Sequence, residues 1–211
     1  SIALLARALS QNVLNIPQII FSISIFVLAA FSHELTSLCL PFFLYILFKA
    51  YPDHQSSKKL FVTIASIFTT IAIVALISAF MFPGTLQTSE RICQSWINRG
   101  FNQLICDGSI HWLSSRLKNS MGFVAHELKT QSYFGTYGIL VTLALIPVAL
   151  SNWHQQASSR LLLITGAICL SPLFVAGVDW GRWIYLYVSL LFIAIFVAAR
   201  FRPVTLAHIS C

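Results

Sequence analysis

Two short polar clusters interrupt long apolar stretches of this sequence: His33-Glu34, and Asp179-Trp180-Gly181-Arg182-Trp183. An ionisable side chain at the edge of a membrane is costly to place, so it is a functional candidate by default. A carboxyl group in an apolar surround holds its proton more tightly and can then work as a general acid or base. Glu34, with His33 beside it, fits that description. Neighbouring helical residues point about 100° apart, so one of the pair can face a cavity while the other ties down the backbone. Asp179 and Arg182 have the spacing at which a carboxylate and a guanidinium pair across one helical turn. Arg182 can grip a phosphate through its planar fork of donors. Asp179 would hold that Arg or act on a hydroxyl. Trp180 and Trp183 flank this substrate-binding turn, and Arg7 is a weaker cationic candidate.

Each cluster also has a plain structural reading. His33-Glu34 can be a hydrated turn, and Asp179/Arg182 a capped helix start anchored by interfacial tryptophans. Cys93 and Cys106 share one polar stretch, where a disulfide is expected if the compartment is oxidising. Neither His33-Glu34 nor His126-Glu127 extends to HExxH, because Ser37 and Thr130 stand where the second His would be. A zincin-type metalloprotease is therefore disfavoured. GxSxG, P-loop and CxxC motifs are absent, and no metal or cofactor is expected.

The elements that must position these residues are apolar helices. Hydrophobic residues make up 57% of the 211 positions and charged ones 9%, against about 25% charged in soluble domains. The sequence predicts an all-α, polytopic transmembrane helix bundle of about six spans in a single domain. The spans fall near 13–31, 35–51, 60–82, 133–150, 161–177 and 183–199. The Pro83–Ser132 loop is external and carries two amphipathic helices: Ile110, Leu113, Leu117, Met121 and Val124 recur at helical spacing, and Ile92, Trp96, Ile97, Phe101, Leu104 and Ile105 less regularly. Such helices lie on the membrane or cap the bundle.

The net charge of +7 does not point to nucleic acid, because the basic residues sit mostly at the ends of apolar runs. Arg7, Lys49, Lys58, Lys59, Arg160, Arg200 and Arg202 fall on one side of a six-span chain, which the positive-inside rule makes cytoplasmic. His33-Glu34, the 83–132 loop and Asp179–Arg182 then face outward. Ser1–Asn12 lacks the pattern of a signal peptide. The start reads either as processed or as the cut edge of a longer protein, of which this would be the C-terminal part.

The stretches FSHELTSLCLPFF and GVDWGRWIYLYVSLLF resemble bacterial polytopic membrane proteins of surface-polysaccharide assembly, some described as polymerases or glycosyltransferases. The matching residues are His33, Glu34, Asp179, Gly181, Arg182 and Trp183, a small part of the chain. The resemblance implies an inner-membrane enzyme acting on a polyprenyl-phosphate-linked sugar, with Arg182 on phosphate and Glu34 or Asp179 activating an acceptor hydroxyl. It also implies further helices before His33. Two other readings stand beside it: a non-catalytic membrane subunit or scaffold with protein partners in a larger complex, and a transporter. A transporter calls for pseudo-symmetric halves, and no internal repeat is visible.

Overall fold

The computed structural model describes residues 16–33, 35–50, 58–82, 84–107, 110, 117–130 and 132–201. Among them there is no strand. In chain order the helices are α1 (Ile16–Ser32), α2 (Leu35–Leu38), α3 (Leu40–Ala50), α4 (Lys58–Met81), α5 (Leu86–Ile97), α6 (Leu117–Thr130), α7 (Tyr133–Leu150), α8 (Ala157–Ala176) and α9 (Trp180–Phe201). Short 3₁₀ turns lie at Gln103–Asp107 and Trp153–Gln155.

Four helices, α4, α7, α8 and most of α9, are long and apolar enough to cross a membrane. A span needs about 20 apolar residues, and the apolar parts of α1 and α3 are shorter. Large apolar side chains point outward from these helices: Phe80 is 80% exposed and Phe196 72%. Water would penalise so much bare hydrocarbon, whereas lipid would not. The chain is an integral membrane protein by this criterion.

The expected second span, 35–51, is divided into α2 and α3. Pro41 has no N–H to donate and fits best in the first turn of a helix, the place it takes in the helix that begins at Leu40; Pro147 and Pro172, by contrast, lie inside α7 and α8. Tighter bonds bridge the break, from Cys39 N–H to Thr36 O and from Phe42 N–H to Cys39 O.

Short as it is, α3 is the centre of the bundle, packed against α4, α8 and α9. Phe42, Ile46 and Leu47 on it are wholly buried. From α4, Ile64, Phe68, Ala72 and Ala75 face inward at helical spacing. The rings of Phe26, Phe43 and Phe68 meet at centroid distances of 4.7, 4.8 and 5.9 Å. In lipid, where burial from water no longer drives helix association, close packing and polar contacts do that work. Gly166 on α8 serves it: a Cβ there would lie 2.8 Å from Phe42 Cζ and 3.3 Å from Tyr187.

The helix directions sort the ends of the bundle. Phe48 meets Phe61 at 6.4 Å, and Tyr45 meets Ser159. Lys49, Lys58, Lys59 and Arg160 therefore gather at one end. The 33–35 turn, the end of α4 and the α8–α9 turn lie at the other.

Candidate functional site

The α8–α9 turn is the best-defined polar feature at that second end. The Asp179 carbonyl accepts the N–H groups of Arg182 (3.0 Å) and Trp183 (3.2 Å), which opens α9 at Trp180, three residues before the expected start. Arg182 Nη1 lies 3.1 Å from Asp179 Oδ2, and both side chains are largely exposed, at 73% and 56%. The pair is thus local and water-facing, at the spacing the sequence indicates.

Trp180, named above among the substrate-binding candidates, is mostly covered by its neighbours. It is 7% exposed, and its indole N–H donates to the carbonyls of Phe174 (3.0 Å) and Gly177 (3.2 Å). Those carbonyls end α8 and would otherwise lack intrahelical partners. The ring is enclosed by Tyr133, Phe134, Tyr137 and Phe174. Trp183 stacks edge-on to Phe174 at 5.4 Å. Gly177 and Gly181 let the chain close this tightly: a Cβ on Gly177 would stand 3.0 Å from Trp183, and one on Gly181 3.3 Å from Tyr137. Together they make a rigid clasp between α7, α8 and α9 that presents Arg182 outward.

Below the clasp an apolar cleft of about 490 Å³ opens between the same three helices, lined by Tyr137, Phe174, Trp180, Ile184 and Tyr187 among others. Arg182 is not part of its wall, because Trp180 and Ile184 share one face of α9 and Arg182 is on the other.

His33 ends α1, and its Nδ1 accepts the Leu35 N–H at 3.3 Å. His33 thus ties down the backbone at the start of α2. Glu34 and Arg7 lie outside the described residues. The structure accordingly brings Asp179, Trp180, Arg182 and Trp183 together on one turn and places His33 at the same end of the bundle.

Cys93 and Cys106 are joined by a disulfide, with Cα atoms 5.4 Å apart. It links α5 to the following 3₁₀ turn. Between them α5 ends in a Schellman motif. Gly100 N–H bonds Ile97 O, Phe101 N–H bonds Trp96 O, and Gly100 takes a φ of 87° that only glycine adopts cheaply. The Trp96 and Phe101 rings meet at 4.8 Å, the hydrophobic contact that accompanies this motif. The helical spacing of Leu117, Met121 and Val124 appears as α6, with Val124 buried. Leu113 lies outside the described residues.

Sequence reasoning missed a buried polar cluster at the opposite, basic end. Trp153 is fully buried, and its indole N–H donates to Tyr45 Oη at 2.9 Å. Tyr45 Oη in turn meets Ser159 Oγ at 3.0 Å. Lys49 Nζ donates to Gln156 Oε1 at 2.6 Å and lies 5.5 Å from the Tyr45 ring centre, a cation–π distance. The only advance signal was general: a Tyr or Trp in an apolar stretch needs a partner for its polar atom when buried. Two buried polar atoms have no hydrogen-bond partner among the described residues, Ser37 Oγ and His154 Nδ1. Among those residues no three His, Cys, Asp or Glu side chains gather as a metal site would require.

No protein-family model matches the chain, and neither a curated protein nor a solved structure matches it.

Proposed function

We propose that this is a membrane protein that handles a lipid-linked phosphorylated sugar in cell-surface polysaccharide assembly, with Arg182 as the phosphate contact. The observation that carries this reading is the exposed Arg182–Asp179 pair, held on a turn that Trp180 makes rigid. A bidentate donor placed on a fixed element at the membrane edge is what recognition of a diphosphate headgroup calls for. In this reading six spans cross the inner membrane, with α1 and α2–α3 as the short first pair. The Arg182 turn, His33-Glu34 and the disulfide-closed loop face outward. Asp179 orients Arg182, and Glu34 or Asp179 activates the acceptor hydroxyl.

The test is binding of a radiolabelled polyprenyl-diphosphate-linked sugar by the full chain in lipid vesicles. Arg182→Lys keeps the charge and removes the fork, so binding is expected to fall about tenfold. Binding equal to wild type in both Arg182→Lys and Arg182→Gln would overturn the role of Arg182.

A second reading, a non-catalytic membrane subunit, is favoured by one observation. Trp180, Gly177, Gly181 and the Asp179 carbonyl all have structural employment within the turn. The same variants decide between the readings, because a scaffold would bind no labelled substrate above the level of protein-free vesicles.

A further inference from the structure

A groove of about 600 Å³ runs between α3, α4 and α8, with Leu44, Phe61, Leu76 and Leu162 among its apolar walls. It follows α3 from Leu40 to Phe48, about 12 Å at 1.5 Å per residue, and reaches Leu38 on α2. Phe48 and Leu161 line it while remaining 54% and 61% exposed, so it opens sideways from the bundle. Two of its three walls, α4 and α8, are helices long and apolar enough to cross a membrane. Its mouth therefore faces hydrocarbon, and a hydrocarbon chain rather than water is the matching filler.

One end of this groove is strongly basic. Lys49 Nζ lies 6.0 Å from the centre of the Phe48 ring and bonds Gln156. Lys58 precedes the lining residue Phe61 by three positions, hence on the same helix face. Arg160 stands at the same end of the bundle but on the other face of α8 from the lining residues Ser158 and Leu162. The acidic residues among those described, Glu90, Asp107, Glu127 and Asp179, belong to the 83–132 loop and the α8–α9 turn. An apolar trough ending in clustered cations fits an amphiphile with a hydrocarbon chain and an anionic head.

We propose that this groove is a binding site for an anionic glycerophospholipid, with one acyl chain along α3 and its phosphate between Lys49 and Lys58. Its basic end lies opposite Arg182, and the proposal does not rest on the sugar-handling reading. The lipid is a structural ligand that fills the bundle's side and ties the basic end to an anionic leaflet, where each cation near the surface adds to attraction.

The experiment uses the full chain in nanodiscs containing phosphatidylglycerol with a diazirine on its acyl chain, against the same probe on phosphatidylcholine. Irradiation is expected to label the 61–76 and 158–169 segments, several times more with phosphatidylglycerol. Lys49→Gln with Lys58→Gln should lower that labelling by about fivefold per cation removed. Thr165→Trp, which places an indole in the groove, should abolish it, and labelling at Phe80 and Phe196 should persist. Equal labelling of all outward-facing apolar residues, or no preference between the two headgroups, would overturn the proposal. The wild-type labelling pattern alone decides the matter even if Thr165→Trp does not fold.

Discussion

Tyr45 shows how much one side chain can hold when the solvent is hydrocarbon. Its hydroxyl accepts from the Trp153 indole and meets the Ser159 hydroxyl, with all three residues buried. Replacing Tyr45 by Phe leaves both partners unpaired in a place water does not reach. The cost of such a buried orphan is about 1–3 kcal/mol. Tyr45→Phe should therefore lower the unfolding free energy in detergent by that amount, whereas Tyr185→Phe, at an outward position, should change it by far less. Equal effects at the two sites would show that the cluster contributes nothing. Arg182 stands at the other extreme. It is exposed and paired only with a carboxylate three residues away, so its contribution to stability is small and its reason for being there is sought in recognition.

At the scale of the element, the helices meet through small residues. The contact between α8 and α3 depends on Gly166, whose missing Cβ admits the Phe42 ring. Gly166→Val should cost about 1–3 kcal/mol by overpacking, read as a loss of thermal stability in detergent. Gly138→Ala is the control, because a Cβ there meets nothing within 4 Å; it should be neutral or stabilising by up to about 1 kcal/mol. If Gly166→Val melts like wild type, the close approach of α8 to α3 is not as described. The presence of α4, α7, α8 and α9 was legible because a run of apolar residues ended by a polar or Pro-Gly break has few other readings, although α8 and α9 begin at Ala157 and Trp180, ahead of the expected 161 and 183. The division of 35–51 was less so. Hydropathy continues across Pro41 unchanged, and only backbone hydrogen bonding places the break at Cys39.

The whole molecule has one basic end and one end that carries the disulfide, the His33 cap and the Arg182 turn. If the basic end is cytoplasmic, as the distribution of Lys and Arg predicts, the Cys93–Cys106 pair lies on the oxidising side, where a disulfide persists. In intact cells expressing the full chain, a membrane-impermeant maleimide should label Leu86→Cys and leave Lys58→Cys unreacted until the cells are permeabilised. The reverse pattern would invert the topology and remove the outward-facing site from consideration.

Hydropathy along the chain was enough to establish the class, the long helices and the asymmetry of charge. These follow from short-range rules: 20 apolar residues in a row have to leave water, and charges collect where the runs end. The same local logic identified the Asp179/Arg182 pairing, which needs only one helical turn. Contacts between distant segments had no such trace. Nothing in the order of residues announces that Tyr45, Trp153 and Ser159 share hydrogen bonds, that Gly166 yields space to Phe42, or that the Trp180 indole closes the end of α8. Those arrangements depend on which helix lies beside which, at what height, and with which face turned inward. Only tertiary packing settles these, because in an apolar environment most faces of an apolar helix are nearly equivalent until small residues and buried polar atoms select among them.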